Sequence, residues 1–461
     1  MHRTQRWTEW GSRFRIQCAN GRRWGQGSSL RFQQPQPFEN GCGNAPGKFE
    51  SGGMGYEISP LRQPAADPLL WKLDPEVVFL NHGSFGACPR AVLEYQQVMR
   101  DRMERQPLQF LARELEGLLD HARASLAAFV GADPDCLVYV PSATAGVNTV
   151  LRSLEFKPGD ELLVTDQEYN ACRNALNYAA ERTGARVVAV PIPFPLENSG
   201  QIVDAVLAAV TPKTRLALLD HVVSQTGLVL PMERLVAGLQ AKGVDCLVDG
   251  AHSPGMIPLN LNALGAAYYT GNCHKWLCAP KGSAFLHVRK DLQQHIRPLV
   301  ISHGANTSRT DRSKFLVEFG WAGTSDPSAC LAVPEAIKFM ASLLPGGWRA
   351  VMERNRALAL AGRDILCAAL RIPAPCPDEF VGSTAAVPLP DSPAERRPIL
   401  PAFEYPLQVE LRTKHQIEVP MMPWPAPPKR LLRISAQLYN STLQYDFLAV
   451  KLLEGLSEEL G

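Results

Sequence analysis

Apolar residues in the middle of the chain alternate between short continuous runs and segments with helical spacing. From Met232 to Leu239, for example, apolar side chains recur every three or four positions. Pro231 precedes this segment and Gly243 follows it, as is usual at the two ends of a helix. Runs and helical segments in regular succession predict a mostly parallel sheet with helices on both faces. The predicted strands are residues 137–140, 161–165, 186–190, 215–219, 244–248, 266–269 and 283–288.

Helical spacing also comes before and after this region. It runs from residue 90 to 105, pauses at Pro107, and resumes over residues 111–126, with Gly131 as the predicted stop. Beyond residue 331 helices come first and separated strands follow, which predicts a smaller α+β domain and a cleft between the two domains. The elements predicted there are helices 334–344 and 348–370, strands 381–388, 416–421 and 430–435, and a closing helix 441–459.

These patterns predict four parts of the chain. Residues 1–65 are expected to be a disordered or spurious extension, and residues 66–90 a segment that joins the small domain. Residues 91–330 form the predicted large domain, and residues 331–461 the small one. The extension is rich in arginine, and Glu9 is its one acidic residue before residue 39. A transit peptide is the alternative interpretation, since such peptides are rich in arginine and poor in acid.

Composition limits the classes of function. Lys and Arg number 47 against 45 Asp and Glu, and a net charge of +2 gives no electrostatic basis for binding nucleic acid or an anionic membrane. No apolar stretch approaches the ~20 residues of a membrane-spanning helix. The 11 cysteines include no Cys-x-x-Cys pair and no zinc-like group, so we predict reduced thiols, no metal site and a cytoplasmic location. We therefore expect a local site for a small molecule.

Candidate chemistry follows the predicted strands. In an open parallel sheet, ligands bind beyond the carboxyl ends of the strands. Ser142 and Thr144 follow the first predicted strand at the start of a helix, where free amides and hydroxyls suit a phosphate. Asp249 directly follows the fifth strand and Lys275 comes shortly after the sixth, so we expect them side by side. An ion pair that closes the sheet is the simpler alternative.

Pyridoxal 5′-phosphate (PLP) requires this combination of groups. It needs a lysine for a Schiff base, a carboxylate at its pyridine nitrogen, a phosphate cradle and a flat group over its ring. Tyr169, after the second predicted strand, can supply the flat group. Lys281 competes with Lys275 for the Schiff base, but Lys275 follows the preceding strand on the ligand side, whereas Lys281 comes before the next strand. We therefore predict PLP bound at Lys275.

Four segments resemble a known family: residues 80–86 (Leu-Asn-His-Gly-Ser-Phe-Gly), 249–252 (Asp-Gly-Ala-His), 272–276 (Asn-Cys-His-Lys-Trp) and 432–435 (Leu-Arg-Ile-Ser). They are similar to the class V aminotransferase family, specifically to its isopenicillin N epimerase-like branch, and the resemblance spans about residues 69–460. It implies the type I fold of PLP-dependent transferases, an α/β fold with a mostly parallel sheet in the large domain and a smaller α+β domain. It also implies a homodimer with the active site at the subunit interface.

The resemblance implies roles for single residues. Lys275 would form the Schiff base, Asp249 would face the pyridine nitrogen, and Tyr169 would stack on the ring. His252 would lie by the phenolic oxygen, where Ser224 takes the place of an asparagine in many relatives. The implied phosphate ligands are Ala143, Thr144, Thr270 and His274, with Gly323 and Thr324 of the partner subunit. The implied substrate contacts are Arg433, which suits a carboxylate, Asn81 and His82.

Several reactions are compatible with such a site. The amine of Lys275 would remove the α-proton of an amino acid, and the fate of the carbanion decides the reaction. Epimerisation is our first expectation, and C–S elimination from cysteine, cystine or hercynylcysteine sulfoxide is the alternative. Transamination and a persulfide-forming cysteine desulfurase are less favoured, the latter because residues 421–428 contain no cysteine. A non-catalytic PLP-binding protein is a hypothesis of a different class.

Overall fold

The structure of the protein, a computed structural model, describes residues 60–393 and 404–460. Most of the predicted N-terminal extension lies outside the described residues. The strands are β1 (Val78–Phe79), β2 (Leu137–Val140), β3 (Glu161–Thr165), β4 (Arg186–Val190), β5 (Thr214–Asp220), β6 (Asp245–Asp249), β7 (Tyr268–Asn272), β8 (Ala284–Val288), β9 (Thr384–Leu389), β10 (Ile417–Glu418), β11 (Met421–Pro423) and β12 (Arg430–Ser435).

The helices are α1 (His82–Phe85), α2 (Arg90–Arg105), α3 (Pro107–Gln109), α4 (Leu115–Val130), α5 (Ala143–Ser153), α6 (Asn170–Thr183), α7 (Gly200–Ala208), α8 (Met232–Ala241), α9 (Leu261–Leu264), α10 (Lys314–Gly320), α11 (Ser328–Leu331), α12 (Val333–Ser342), α13 (Gly347–Leu370), α14 (Pro406–His415) and α15 (Thr442–Leu460). A π-helical turn at Phe110–Glu114 joins α3 to α4. Short 3-10 turns lie at Pro60–Arg62, Pro68–Leu70, Pro134–Cys136, Lys290–His295, His303–Asn306 and Asp378–Phe380.

The ends of α2 and α4 follow from local backbone chemistry. Helix α2 ends before Gln106, whose φ of −149° is not helical, and Pro107 then opens α3. Helix α4 ends before Gly131, whose φ of +63° lies in the left-handed region that favours glycine. The predicted pause at Pro107 and stop at Gly131 are both confirmed.

The large sheet has seven strands in the order β2-β8-β7-β6-β5-β3-β4. Strand β8 is antiparallel to both of its neighbours, and all other pairs are parallel. Each of the seven predicted strands is present, with ends shifted by a few residues at most. The predicted α/β fold class with a mostly parallel sheet is therefore confirmed.

Apolar side chains cover both faces of this sheet. On one face α7 and α8 pack on strand residues such as Leu163 and Val248, and on the other α5 and α6 pack on residues such as Leu162 and Leu247. The apolar positions of α8 that the spacing predicted are all buried. Each fully buried aliphatic side chain contributes ~1.5–3 kcal/mol, so this core holds the strand ends rigidly in place.

The C-terminal part contains a three-stranded antiparallel sheet in the order β11-β12-β9. Strand β10 instead pairs in parallel with β1, so the predicted strand 416–421 is divided between two sheets. Helix α14 is an addition to the predicted elements, because its apolar positions form no clear helical stripe. The boundaries of the two predicted domains stay a prediction.

Two further sequence expectations concern membranes and thiols. Within the described residues no single helix has the length and apolar character to cross a membrane, and the helical stretch Ser328–Ser342 with α13 reaches that threshold only as a pair bent by 71°. The cysteines among the described residues are free thiols, and most of them are buried. The cytoplasmic location stays a prediction.

Candidate active site

The carboxyl ends of three parallel strands meet at one edge of the large sheet. The register pairs Asp220 of β5 with Asp249 of β6, and Asp249 with Thr270 of β7. Lys275 follows β7 and lies within the electrostatic influence of both aspartates. The structure thus brings Asp249 and Lys275 to the same edge, as their positions after neighbouring strands predicted.

Lys275 is the buried amine of this edge. Its Nζ lies 3.0 Å from Nε2 of His252. Burial and the positive charge of Arg433 lower the pKa of Lys275 to about 8. An amine with this pKa is partly neutral near physiological pH and can accept a proton. Lys281 is placed differently, because its amine donates a hydrogen bond to the carbonyl oxygen of Gly86.

Asp249 is buried and hydrogen-bonded through both oxygens. Oδ1 accepts from the backbone N–H of Ala251 at 2.9 Å, and Oδ2 accepts from the thiol of Cys172 at 3.0 Å. Burial raises the pKa of Asp249, while the two hydrogen bonds and the charge of Lys275 lower it. The two donors therefore favour the ionised carboxylate, which is the form that can hold a protonated ring nitrogen.

Glu168 and Asp220 are two further acids that sequence reasoning missed. Both are buried, and among the described residues neither side-chain oxygen of Glu168 nor Oδ2 of Asp220 has a hydrogen-bond partner. Burial and the charges of Asp220 and Asp249 raise the pKa of Glu168 well above its ordinary value. One carboxylate oxygen of Glu168, one of Asp249 and the Sγ atom of Cys172 lie within 4.8 Å of one another. The available signal was the position of Asp220 at the end of a buried strand and of Glu168 directly before Tyr169.

Arg433 of β12 is held by residues from two other segments. Its Nη1 donates to the carbonyl and hydroxyl oxygens of Ser224, and its Nη2 donates to Ser84 Oγ at 2.8 Å and to Asn81 Oδ1 at 3.4 Å. Asn81 in turn donates to Glu418 and accepts from Ser84. The predicted residues Asn81 and Ser224 therefore orient Arg433 together with Ser84, a residue with no predicted role.

One nitrogen of Arg433 remains available. Its Nε is buried and has no hydrogen-bond partner among the described residues. A buried donor without a partner costs ~1–3 kcal/mol, so a ligand that accepts this hydrogen bond gains affinity. Burial lowers the pKa of Arg433 to about 10, and the guanidinium still stays charged at neutral pH. A substrate carboxylate has the charge and the acceptors that this group requires.

Tyr169 supplies the exposed aromatic ring of the site. It precedes α6, and 42% of the residue is exposed. Partial burial raises the pKa of its phenol, which is also influenced by Cys172, Asp249 and Arg433. The phenol is thus uncharged at neutral pH, and the predicted site residues Asp249 and Arg433 are near enough to influence it. A flat ligand can therefore lie against this exposed ring.

His82 is a buried residue that contacts the backbone of Lys275. It is fully buried, its Nδ1 is 2.8 Å from the hydroxyl of Tyr439, and its Nε2 is 3.2 Å from the carbonyl oxygen of Lys275. Burial lowers its pKa to about 3, so the ring is neutral. Both ring nitrogens contact other protein atoms, so these contacts do not support the expected role of His82 in substrate binding, which stays a prediction.

The part of the site predicted to bind the phosphate group, the phosphate end, lies at the start of α5. Ser142 caps this helix through Ala145, and the backbone N–H of Ala143 donates to Asn272 at 2.8 Å. The hydroxyl of Thr270 is buried and donates to the carbonyl oxygen of Phe285, so its proton is not available to a phosphate. His274 uses Nδ1 toward the carbonyl oxygen of Ser283, which leaves Nε2 for a ligand. Thr144, partly exposed in the first turn, is the hydroxyl that remains.

Gly323 and Thr324 lie in the segment between α10 and α11. Thr324 is exposed, and a Cβ placed on Gly323 would meet no atom within 4 Å. These two residues therefore face open space in the single chain. Their predicted part in the phosphate site depends on a second subunit and stays a prediction.

The donor set fits PLP. A lysine amine of lowered pKa, a buried carboxylate with two donors and an imidazole lie together. The exposed ring of Tyr169 and the N-terminus of α5 complete the requirements for ring and phosphate. The unpartnered Nε of Arg433 provides for a carboxylate beside them.

Comparison with known proteins agrees with this chemistry. The family model for aminotransferase class-V matches residues 87–378. The chain is 37% identical to isopenicillin N epimerase of Amycolatopsis lactamdurans over 83% of this chain and 96% of that protein. It is 34% identical to putative L-cysteine desulfhydrase 1 of Oryza sativa subsp. japonica over 68% of this chain and 67% of the relative.

A solved structure shows the same fold. It is a variant of C-DES with glycine covalently linked to the PLP cofactor, and it superposes with a TM-score of 0.67. The match covers 82% of this chain and 96% of that one at 21% identity. The predicted type I fold of PLP-dependent transferases is therefore confirmed.

Proposed function

The chain belongs to the class V aminotransferase family of PLP-dependent enzymes, and we propose that its reaction is epimerisation at the α-carbon of an amino acid or of an amino-acid-derived substrate. The observation that carries the proposal is a single buried amine, Lys275 Nζ, within the electrostatic influence of both the acids of the sheet edge and the guanidinium of Arg433. The relatives named isopenicillin N epimerase support the choice of reaction.

When bound, PLP withdraws electrons from the α-carbon of an attached amino acid and so acidifies its proton. Lys275 would hold it covalently, Asp249 would bind its ring nitrogen, and Tyr169 would cover its ring. The cysteine thiol and the amide that donate to Asp249 favour its ionised form and oppose burial, which raises the pKa of this carboxyl group. The residues present thus provide for both the binding and the electronic activation of the cofactor.

Substrate binding follows from Arg433. Its guanidinium is oriented by Ser224, Ser84 and Asn81, so the side chain need not be ordered when the carboxylate arrives. Its Nε, which has no hydrogen-bond partner within residues 60–393 and 404–460, adds a donor that a ligand carboxylate can use. We infer that the substrate carries a free α-carboxylate next to the α-amino group that it presents to the site.

Proton transfer requires a base and, for epimerisation, a second proton donor. With a pKa of about 8, Lys275 can take up the α-proton near neutral pH. Tyr169 is the candidate for the second group, because its phenol remains protonated at neutral pH and its ring is exposed to the ligand. His82, the implied substrate contact, is fully buried and lies against the backbone carbonyl of Lys275, so it presents no exposed group for this role.

Hydrogen exchange at the α-carbon tests this proposal. Holoenzyme is incubated in deuterium oxide with single enantiomers of a panel of amino acids and of peptides with a free α-amino acid terminus. We expect deuterium at the α-carbon together with loss of optical purity. The Tyr169→Phe variant should retain exchange with retention of configuration. Release of pyruvate and sulfide without inversion would contradict epimerisation.

C–S elimination is the second candidate. It is supported by the relatives named L-cysteine desulfhydrase and by the absence of a cysteine in residues 421–428, which comprise β11 and the loop after it. Elimination needs one base and no persulfide-forming thiol. Cysteine and cystine are therefore included in the panel, and formation of pyruvate and ammonia from either would favour this reaction.

We also propose that the enzyme acts as a homodimer. Gly323 and Thr324 face open space in the single chain, and Leu299, Val300 and Ile301 are exposed apolar residues. Contiguous exposed apolar residues are typical of surfaces that another chain covers. A dimer would bring Gly323 and Thr324 to the phosphate end of the other subunit's site.

A further inference from the structure

Trp276 follows Lys275 directly, and its indole is almost fully buried beside the active site. Its Nε1 donates a hydrogen bond to Nδ1 of His252 at 3.3 Å. The other ring nitrogen of His252, Nε2, lies 3.0 Å from Nζ of Lys275. One imidazole thus connects the indole to the amine.

The chemistry of the three groups determines where the proton of His252 lies. An indole N–H can only donate, so Nδ1 of His252 must accept and cannot carry a proton. Burial and the positive charges of Lys275 and Arg433 favour the neutral form of the imidazole. A neutral imidazole without a proton on Nδ1 carries it on Nε2. The N–H of His252 is therefore directed at the position of Lys275 Nζ.

We propose that Trp276 is a positioning residue that fixes His252 in the Nε2–H tautomer and so makes His252 a hydrogen-bond donor toward the cofactor side of the site. This assignment goes beyond the proposed reaction, because it holds for every reaction that begins at Lys275. Phenylalanine or leucine would fill similar space at position 276 but would leave the tautomer of His252 undetermined.

The fixed tautomer has a consequence for Lys275. A neutral amine accepts a hydrogen bond from Nε2–H, whereas an ammonium group presents only protons to it. The tautomer therefore disfavours the charged lysine and acts in the same direction as burial. The other charged or titratable groups that influence Lys275 are Arg433 of β12, Asp249 of β6, Asp220 of β5 and Cys172 of α6. Because Trp276 contacts none of these through its N–H, its replacement should act through His252.

Nitrogen NMR of the holoenzyme labelled with ¹⁵N-histidine tests the tautomer directly. The signals of His252 are identified by their loss in the His252→Gln variant. We expect the chemical shift of a protonated Nε2 and an unprotonated Nδ1, and in Trp276→Phe a shift toward a mixture of tautomers. A protonated Nδ1 in the unmodified enzyme would overturn the proposal without any reference to the variant's folding.

The reactivity of Lys275 in the full chain after removal of the cofactor gives a second readout. An amine-specific reagent is applied over a range of pH, and modification of Lys275 is followed by peptide mass mapping, with Lys281 as the internal control. We expect Trp276→Phe to raise the apparent pKa of Lys275 by about half to one unit, which lowers its rate of modification near pH 7 about three- to tenfold.

The His252→Gln background separates positioning from packing. A glutamine amide turns to donate or accept without tautomers, so we expect this variant to raise the apparent pKa of Lys275 by itself. Adding Trp276→Phe to it should then produce no further change. An equal further fall in reactivity would show that Trp276 acts through packing and would overturn the proposal. Thermal unfolding of all four proteins measures the packing contribution separately.

Discussion

At the scale of single residues, the two lysines near the end of β7 illustrate how position decides chemistry. Lys275 lies beside His252 and within the influence of Asp249, whereas Lys281 donates to the backbone of Gly86. We expect borohydride reduction of the holoenzyme to leave the cofactor attached to Lys275. We expect the Lys275→Ala substitution to lower activity by at least about 10²–10⁴-fold.

Lys281→Ala is the matched control for this prediction. It removes an amine of the same type only a few residues away, so covalent attachment should persist and be found again at Lys275. Peptide mass mapping after reduction distinguishes the two lysines. Attachment at Lys281 would contradict the assignment of the site.

Cys172 is the second residue for which a specific effect is expected. Its thiol donates to Oδ2 of Asp249, and its removal should raise the pKa of this carboxylate. Because the ionised form is less favoured, we expect Cys172→Ala to weaken cofactor binding about fivefold, equivalent to one hydrogen bond of ~1 kcal/mol. Equilibrium dialysis at neutral pH measures the dissociation constant.

The sign of the pH dependence follows from the same contact. A carboxylate that loses a donor is protonated at higher pH, so cofactor binding in Cys172→Ala should weaken at a higher pH than in the unmodified enzyme as the solution is acidified. Cys172→Ser retains a donor and should behave almost as the original residue does. Equal weakening in the serine and alanine variants would argue against the hydrogen bond.

At the scale of elements, the contact between α5 and β7 positions the phosphate end of the site. A Cβ on Gly146 would lie 2.2 Å from Oγ1 of Thr270, whose hydroxyl is itself held by β8. We expect Gly146→Ala to push the helix from the sheet and to lower the free energy of unfolding by ~1–3 kcal/mol. Cofactor affinity should fall with it, because the first turn of α5 moves. Denaturant unfolding and cofactor titration measure both effects.

Gly117 of α4 provides the control for this substitution. A Cβ placed there would meet no atom within 4 Å, so Gly117→Ala should leave cofactor affinity unchanged. Its stability should stay constant or increase by up to ~1 kcal/mol, since alanine favours the helix over glycine. If both alanine variants lost cofactor affinity equally, the close approach of α5 to β7 would not be the cause.

At the scale of the whole molecule, the proposed dimer can be tested by mixing defective subunits. Lys275→Ala removes the amine of one site, and Thr324→Asp should weaken phosphate binding in the site to which Thr324 contributes, because like charges repel. Each variant alone should be inactive or nearly so. If Thr324 serves the other subunit, a mixed dimer contains one intact site, and random mixing restores about a quarter of full activity.

The alternative outcome is equally definite. If Thr324 acts within its own subunit, a mixed dimer has one defect in each site, and co-expression restores no activity. Measurement of sedimentation for each protein shows whether dimers are present in the mixture. Monomeric protein with full activity would exclude the proposed subunit interface.

The sequence by itself determined the architecture and the identity of the main reactive groups. Alternating runs and helical segments defined all seven strands of the large sheet, because each element must bury an apolar face. Asp249 and Lys275 were found because parallel strands bring their carboxyl ends to one edge. The apolar spacing of strands and helices and the positions directly after strands can be read from the order of residues along the chain.

Only the tertiary structure decided which groups support these residues. His252 connects Trp276 to Lys275, Cys172 of α6 donates to Asp249 of β6, and His82 contacts the backbone of Lys275. Residues distant in sequence meet through the packing of helices on the sheet. The sequence around a polar residue does not indicate which distant residue it will contact. The direction of a proton on one imidazole, and with it the basicity of Lys275, is therefore a property of the folded chain.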